Sequence, residues 1–428
     1  MKKSFVVLMI MLIVCSGFIF AAGGGQSSGK AGSTAAPAAK TDIRWIEWKS
    51  PEIGAPIIQK MISNFNAQNP EYNLTNSDRP FNGFYDNLVT QAQARNLPEI
   101  LLIQVDWVGA FAKDGIIQSI DPMIAKEPAT FMDQYYDAFK QTVGGKKYYL
   151  PIHSGCVGMF YDPAILSKEG ISAPPATWDE LLSVAKKVTH GDQYAVTGTL
   201  ASEPPTNLSY DIYPLLFQAG GKLVDANMKP AFNSPEGVKA LEFYKQLVQY
   251  SVPGVLQNGE AQKRQNFPQG KVAMMFEGPW GVPIQTGFNK DHKFIVTTLT
   301  KGVTTGTIVR GSLLAIPTTT TGKKLDGAWA AIKYLSGPEG SEIYCSGSGD
   351  LPANKIAAAR PFVTENPYMK GFLAQMDLPN ANALPHLPYQ VELNRLLTIE
   401  IQQFISGNKT AQKALDDAAA KWNELLSK

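Results

Sequence analysis

Residues 43–48 read Ile-Arg-Trp-Ile-Glu-Trp, and residues 55–68 read Ala-Pro-Ile-Ile-Gln-Lys-Met-Ile-Ser-Asn-Phe-Asn-Ala-Gln. The first segment is short and rich in aromatic and β-branched residues, which is typical of a strand. In the second segment Ile58, Met61 and Phe65 recur at the spacing of one helix face. A strand followed by a single helix predicts an α/β fold that contains parallel βαβ units.

The same alternation continues along the chain. A helical stretch at 84–95 precedes a strand at 99–105, and Thr177 with Glu180 forms the capping box that begins a helix. The further predicted elements are a helix that begins at Ser234-Pro235, buried strands at 271–276 and 309–316, and an amphipathic helix at 410–426. Since no repeat or linker occurs beyond residue 40, a division into lobes requires the chain to cross between them.

The N-terminus is typical of an exported protein. Lys2 and Lys3 precede an apolar run at 5–20, and small residues follow it, so we predict a signal peptide over residues 1–22. Cleavage near Ala21 or Ala22 is favoured, and a lipid anchor on Cys15 is the alternative. Residues 23–40 are rich in Gly, Ser and Ala, which predicts a flexible tether.

Composition and missing motifs narrow the function. The 428 residues carry 39 Lys and Arg against 37 Asp and Glu, without a basic stripe, which argues against nucleic-acid binding. Nucleophile elbows, P-loops and HExxH or CxxC pairs are absent, and the four His lack metal-ligand spacing. We therefore expect no enzyme activity, no cofactor and no metal, although paired carboxylates leave an extracellular glycosidase as an alternative. Cys156 and Cys345 are predicted to be buried free thiols.

Several short motifs occur in a fixed order along residues 41–428. They are Leu150-Pro151-Ile152-His153-Ser154, Pro174-Pro175-Ala176-Thr177-Trp178, Tyr210 to Leu216, Phe267-Pro268-Gln269-Gly270-Lys271, Gly278-Pro279-Trp280, Leu313 to Pro317, Leu351-Pro352-Ala353 and Gly407-Asn408-Lys409-Thr410. In this order the chain resembles the bacterial extracellular solute-binding protein family 1, the maltose-binding-protein-like sugar-binding proteins of ABC transporters.

The resemblance implies an α/β, two-lobed periplasmic-binding-protein fold of type II, with three interlobe crossings and a central ligand cleft. Projected onto this chain, lobe 1 is 41–150 plus 310–351, and lobe 2 is 152–307 plus 353–428. The implied function is to capture a carbohydrate by hinge closure and to deliver it, as a monomer, to the transmembrane permease of an ABC importer. A binder of glycerol phosphate or another polyol ester, and a receptor subunit for a sensor kinase, are the alternatives on this fold.

The resemblance also implies a set of ligand-binding residues. They are Trp280, Tyr210, Asp106, Trp48, Trp107, His153, Ser154, Phe84, Asn82 and Arg310. Trp280 and Tyr210 are expected to stack on sugar rings, because pyranose C–H faces are apolar while the hydroxyls point outward. Asp106 follows a strand and is expected to accept hydrogen bonds from hydroxyls.

Several of these residues have an alternative role. Trp280 and Trp48 could belong to the core, Asp106 could cap the helix that starts at Trp107, and Arg310 could be a solvated hinge residue rather than a cation that selects an acidic ligand. Residues 393–396 read Leu-Asn-Arg-Leu where the maltose-binding relative has an aromatic pair. The missing stacking surface favours a mono- or short oligosaccharide.

We expect the mature protein to begin near Gly23 and to be recovered from the soluble exported fraction. Mass spectrometry of the N-terminal peptide checks this processing site. A diacylglyceryl group found on Cys15 would contradict it and establish lipid anchoring.

Overall fold

The computed structural model describes residues 39–203 and 207–428. The predicted signal peptide, Cys15 and nearly all of the tether lie outside the described residues. Within the described ranges, no helix combines the length and the apolar character needed to cross a membrane.

The strands of the described chain form one larger and two smaller sheets. They are β1 (Thr41–Glu47), β2 (Tyr72–Asp78), β3 (Ile100–Gln104), β4 (Tyr149–Pro151), β5 (Gly155–Cys156), β6 (Gly158–Tyr161), β7 (Met274–Glu277), β8 (Ile295–Thr297), β9 (Thr307–Arg310), β10 (Ser312–Ala315) and β11 (Ala381–Ala383). The larger sheet has the order β2-β1-β3-β10-β4, and the smaller sheets have the orders β11-β9-β5 and β7-β6-β8. We call the part around the five-stranded sheet lobe 1 and the part around the two smaller sheets lobe 2.

Helices surround these sheets. They are α1 (Ser50–Ile53), α2 (Ala55–Gln68), α3 (Phe84–Gln93), α4 (Val108–Lys113), α5 (Asp121–Ile124), α6 (Pro163–Lys168), α7 (Trp178–Val188), α8 (Leu208–Gln218), α9 (Pro235–Leu247), α10 (Glu260–Asn266), α11 (Gly281–Phe288), α12 (Gly322–Ser336), α13 (Pro338–Ser348), α14 (Lys355–Ala358), α15 (Pro361–Thr364), α16 (Pro367–Met376), α17 (Gln390–Ile405) and α18 (Ala411–Leu426).

The local predictions agree closely with these elements. β1 pairs in parallel with β2 and β3, which confirms the βαβ pattern. The helix predicted at 55–68 is α2, and its apolar stripe is buried. The capping box is also present: the Thr177 hydroxyl accepts from the Glu180 backbone N–H at 3.2 Å, and the Glu180 carboxylate accepts from the Thr177 N–H at 3.3 Å. Short-range capping and periodicity therefore determine where these elements begin.

Two strand predictions need correction. The single strand predicted at 309–316 is two strands, β9 and β10, which belong to different sheets and are separated by Gly311. The chain passes from lobe 2 to lobe 1 at that residue, and an apolar run gives no signal of such a change. The strand predicted at 271–276 begins only at Met274, because the preceding residues bond instead to the loop around Tyr194.

Three passages of the chain join the lobes, and they lie side by side. The first contains His153 and Ser154, the second is at Gly311, and the third is at Leu351. Ser154 and Leu351 exchange backbone hydrogen bonds of 2.6 and 3.1 Å, and the Ile152 N–H donates to the Ser312 carbonyl at 3.0 Å. The Ile152–Ser312 bond extends the pairing of β4 with β10, and the Ser154–Leu351 pair is an isolated bridge that satisfies backbone groups outside the named strands.

The cysteine prediction is confirmed. Cys156 and Cys345 are both buried and both free. Burial raises the pKa of each thiol, so both stay protonated at neutral pH. The predicted residue limits of the two lobes stay a prediction.

Gly311→Ala is expected to destabilise the protein. A Cβ atom at this residue would lie 2.2 Å from the His153 carbonyl oxygen and 3.0 Å from the Phe139 ring. Overpacking of this kind typically costs about 1–3 kcal/mol. Urea unfolding followed by tryptophan fluorescence measures the change.

Gly287→Ala is the matched control, because Gly287 lies in α11 and an added Cβ would meet nothing within 4 Å. We expect this control to be neutral or stabilised by about 0.5–1 kcal/mol. Equal unfolding midpoints for Gly311→Ala and the wild type would contradict the close packing of the crossings.

Candidate functional site

A cavity of about 300 Å³ lies between the two lobes. Its wall takes residues from both lobes and from the crossings: Trp48, Lys49, Glu52, Ile53, Phe81, Gln104, His153, Tyr210, Glu260, Arg264, Trp280, Pro283, Ile284, Arg310, Gly311, Ser312, Ser348 and Asp350. A second cavity of about 650 Å³ shares Phe81, Glu260 and Arg264 with the first and extends to Asn82, Asp106, Trp107 and Arg395. The two cavities together form the candidate ligand cleft.

Aromatic rings form the lobe 1 side of the cleft. Trp48 follows β1 directly, and its ring centroid lies 5.6 Å from that of Trp107 and 5.4 Å from that of Phe81. Phe84 lies 5.0 Å from Trp48, is 1% exposed, and lines neither cavity. Trp48 is as deeply buried as Phe84, at 1% exposed, and packs in the same core, yet it lines the inner cavity while Trp107, 5% exposed, lines the adjoining one. Phe84 supports both rings from behind.

Trp280 and Tyr210 form the facing side, on lobe 2. Trp280 is half-buried, and its indole N–H donates to Glu277 Oε1 at 2.8 Å. Pro279 and the Trp280 ring also abut Gly155 on the first crossing. Tyr210, on α8, contacts Trp280 edge-on at 6.4 Å, and Lys263 Nζ lies 3.6 Å from the centre of its ring. Both rings are oriented by fixed neighbours. Tyr210 is 5% exposed and Lys263 covers one face of its ring, so that face cannot stack on a sugar as expected.

Each cation in the cavity wall lies beside a carboxylate. Lys49 bonds to Glu52 at 2.9 Å, and Arg264 bonds to Glu277 at 2.9 Å and to Glu260 at 2.8 Å. Burial alone would lower the pKa of Lys49, but Glu52 and Asp350 outweigh it and the pKa is raised. The cleft is therefore charged but locally neutralised.

Arg310 is not the solvated hinge residue of the alternative interpretation. It is 4% exposed, donates to the Ser209 hydroxyl, and lies 3.6 Å from Asp106 Oδ1. Burial alone would lower its pKa, but the neighbouring Asp106 carboxylate outweighs this and the pKa is raised. Arg310 is thus a buried cation in the cavity wall, and that alternative is wrong.

Asp106 is not a helix cap. The short helical turn at Val105–Trp107 and α4 both start without a side-chain cap bond. Its Oδ1 atom is buried and has no hydrogen-bond partner, since the Arg310 guanidinium stays 3.6 Å away. A buried acceptor without a partner at a cavity wall is available to a ligand donor.

His153 and Ser154 have different surroundings although they are neighbours on the first crossing. The His153 ring lines the cavity, with Nε2 bonded to Ser312. Ser154 is fully buried, lines neither cavity, and donates its hydroxyl to the Pro352 carbonyl at 3.0 Å. The structure thus brings His153 to the ligand cleft and keeps Ser154 within the hinge.

Asp350 is the most conspicuous residue that the sequence analysis missed. It is 0% exposed, it lines the cavity, and neither carboxylate oxygen has a hydrogen-bond partner. Burial raises its pKa from an ordinary 3.8 to about 6, although Lys49 and the nearby Ser348 hydroxyl oppose the shift. Its position directly before the Leu351-Pro352-Ala353 motif was the available signal, and the same holds for Lys49 directly after Trp48. Within the described ranges, no cluster of three or more His, Cys, Asp or Glu residues could hold a metal ion.

Known proteins resemble this chain in sequence and in fold. A solute-binding protein of an ABC transporter from Thermotoga lettingae, solved with bound α-D-tagatose, is 27% identical, has a TM-score of 0.79, and matches 91% of this chain and 100% of its own. A Brucella abortus protein, named provisionally as a binding protein, is 25% identical over 87% of this chain and 90% of its own. The arabinooligosaccharide-binding protein of Bacillus subtilis is 24% identical over 58% of this chain and 55% of its own.

The fold and the interlobe cleft define a substrate-binding protein of the two-lobed periplasmic type II class. The sequence profile of the bacterial extracellular solute-binding proteins matches residues 60–371. The chain therefore belongs to the bacterial extracellular solute-binding protein family, and the family resemblance inferred from the sequence is confirmed.

Asp350→Asn is expected to stabilise the ligand-free protein at neutral pH. Because the folded-state pKa of Asp350 is raised, the native state binds its proton more tightly than the unfolded state, and stability falls as pH rises from about 4 to about 6. Removing the charge should raise the free energy of unfolding above pH 6 by at most about 3 kcal/mol, with no gain near pH 4. Thermal unfolding across this pH range measures the effect.

Asp162→Asn is the control, and its effect on the free energy of unfolding is expected to be opposite to that of Asp350→Asn. Burial alone would raise the pKa of Asp162, but hydrogen bonds from His292 and from the Ile165 and Ala164 N–H groups lower it. Its carboxylate therefore stabilises the fold above the unfolded-state pKa, and this contribution is lost as the pH falls. We expect this variant to be less stable than the wild type at neutral pH, and a loss of stability in Asp350→Asn would contradict the proposed strain on Asp350.

Proposed function

We propose that this protein is the extracytoplasmic substrate-binding subunit of an ABC importer and captures a mono- or short oligosaccharide by hinge closure. The observation that carries the proposal is the make-up of the cavity wall. The half-buried Trp280 ring and the buried Trp48 ring adjoin polar atoms of Asp350 and His153 that make no hydrogen bond. Flat apolar surface beside a few directed polar groups suits a sugar, whose C–H faces and hydroxyl rim have the same division.

The charges of the cleft favour a neutral ligand over a polyol phosphate. A phosphate site needs a cation or a helix N-terminus directed at the anion. Among the described cavity residues, Lys49, Arg264 and Arg310 already lie beside Glu52, Glu277 and Asp106 respectively. An added anion would have to compete with these carboxylates, which supports the sugar over the glycerol phosphate alternative.

The size of the cleft favours a short ligand. The inner cavity of about 300 Å³ is at the lower end of ordinary ligand pockets. A second sugar unit would extend into the adjoining cavity, where Arg395 bonds to Glu203 and Glu392. These ion pairs stand where the resemblance would have required an aromatic stacking surface, so a long glucan lacks a platform there.

We further propose that the protein is exported, acts as a monomer, and passes its ligand to a transmembrane permease without cleaving it. The ABC transporter relative with bound α-D-tagatose supports this role. The glycosidase alternative differs in one observable: a bound oligosaccharide should be recovered intact after long incubation, whereas a glycosidase would release shorter products.

Ligand binding should make the molecule more compact, because the ligand draws the two lobes together. The affinity should depend on Trp280. The probes are D-tagatose, D-glucose, L-arabinose, ribitol, maltotriose and glycerol 3-phosphate, first screened by thermal shift. A probe at 100 times its dissociation constant should add roughly 2.7 kcal/mol of stability. Saturation with the binding probe should then lower the radius of gyration measured by X-ray scattering.

Trp280→Ala should weaken that binding about 30- to 1000-fold, from a loss of roughly 2–4 kcal/mol of stacking and apolar burial. Phe288→Ala is the matched control, because Phe288 is an exposed aromatic residue at the end of α11, the helix that begins directly after Trp280, and it lines neither cavity. A rise in melting temperature with glycerol 3-phosphate and with no other probe would favour the polyol ester as the ligand. An unchanged scattering curve at saturation would rule out hinge closure.

A further inference from the structure

The three crossings meet at a buried trio of polar residues. His153 lies on the first crossing, Ser312 follows the second, and Asp350 precedes the third. They are 2%, 1% and 0% exposed, and all three line the inner cavity. Side chains from three separate parts of the chain therefore meet where the lobes join.

The hydrogen bonds of His153 determine its tautomer. The Ser312 backbone N–H, which can only donate, lies 3.0 Å from His153 Nε2. Nε2 must therefore accept, so in the neutral ring the proton is on Nδ1. The ring is also held by the Ser312 hydroxyl at 2.9 Å and by stacking on Tyr344 with centroids 5.4 Å apart. His153 thus presents an Nδ1–H donor in a fixed direction.

That donor and the nearby acceptors lack partners. His153 Nδ1 lies 3.5 Å from Asp350 Oδ2, at ion-pair distance but without hydrogen-bond geometry, and neither Asp350 oxygen has a well-formed hydrogen bond, although the Ser348 hydroxyl is close enough to lower the pKa of Asp350. The neighbouring Ser348 hydroxyl accepts instead from the Asp350 backbone N–H at 3.2 Å. Buried polar groups are normally paired, and a donor and the acceptor beside it can both be satisfied by one ligand group that accepts and donates.

We propose that Asp350 and the Nδ1–H of His153 together bind one hydroxyl group of the ligand, which donates to the carboxylate and accepts from the imidazole. This inference rests on the proposed function and narrows its ligand class. A hydroxyl is both donor and acceptor, whereas an ammonium group offers no acceptor to His153 and a carboxylate offers no donor to Asp350. The trio therefore selects a neutral polyhydroxy ligand.

The bound hydroxyl also connects the crossings. It bridges the first crossing at His153 to the third at Asp350, and His153 is already bonded to the second at Ser312. Ligand binding thus adds contacts within the hinge itself, besides those between the two aromatic walls.

The surroundings of Asp350 make this contact sensitive to pH. The groups that face it are Lys49 ahead of α1, with its partner Glu52, His153 on the first crossing, and Tyr344 and Cys345 on α13. The pKa values of Lys49, Tyr344 and Cys345 are raised, and burial lowers that of His153 well below its usual range. Burial raises the pKa of Asp350 to about 6. A hydroxyl that donates to the carboxylate favours its charged form, so acid should weaken binding.

Asp350→Asn tests the proposal by calorimetric titration with D-tagatose, D-glucose, L-arabinose and ribitol between about pH 5 and pH 7.5. We expect affinity to fall roughly 10- to 100-fold at pH 7.5, the range for losing a hydrogen bond to a charged group. Wild-type affinity should itself fall about tenfold by pH 5, and the variant should lose this pH dependence. Since the variant is expected to be at least as stable as the wild type, lost affinity cannot be assigned to unfolding.

Asp162→Asn is the matched control, because Asp162 is a buried carboxylate on lobe 2 that caps α6 and lines neither cavity. It should bind the same probe with unchanged affinity and an unchanged pH profile. If the wild type binds a probe and Asp350→Asn binds it within twofold, or keeps its pH dependence, the hydroxyl contact is overturned while the proposed function stands. If no probe binds the wild type, the proposed function fails and the inference fails with it.

Discussion

The structure depends on the need to satisfy polar groups where the chain passes three times between two lobes. Some backbone groups at such a place lie at the ends of strands or outside them, and burying them unpaired would cost several kcal/mol. Here they pair with one another, since Ser154 exchanges bonds with Leu351 and Ile152 donates to the Ser312 carbonyl. The crossings are thereby held in contact, and Gly311 is needed because a side chain there would meet the His153 carbonyl.

The ligand cleft follows from the same arrangement. The cleft opens beside the crossings, so side chains near them are removed from bulk water and face a cavity. Most of these groups find partners: Arg310 lies beside Asp106, and Lys49 bonds to Glu52. Asp350 makes no well-formed hydrogen bond, and its raised pKa expresses the cost of burying a carboxylate that Lys49 and Ser348 only partly offset. A binding site accepts such strain because a ligand relieves it, which converts instability of the free protein into affinity.

The aromatic walls show a division between contact and support. Trp48 and Trp107 reach the cleft, while Phe84 packs edge-on against Trp48 and is out of reach of a ligand. On the opposite wall the Trp280 indole is held by Glu277, which also bonds to Arg264 at 2.9 Å. The orientation of each ring is thus set before a ligand arrives, which limits the entropy lost on binding.

Much of the molecule could be predicted from the sequence. The limits of α2, the capping box at Thr177, the parallel pairing of β1 and the family are local or ordered signals, because periodicity, caps and motif order are written along the chain. Trp280, Tyr210 and Trp48 were also identified as cleft candidates, since they follow recognisable motifs or strand ends, and the structure places all three in the cavity wall.

Only the tertiary structure revealed the division of 309–316 into two sheets, the burial of Arg310 and the meeting of His153, Ser312 and Asp350. These three residues are far apart in sequence, and no short-range pattern records which crossing lies beside which. Their roles depend on which of their polar atoms are hydrogen-bonded within the protein and which are not. Only the folded surroundings of each side chain determine this. The sequence by itself determined the elements and the family, and the packing of three crossings decided which polar atoms remain open to a ligand.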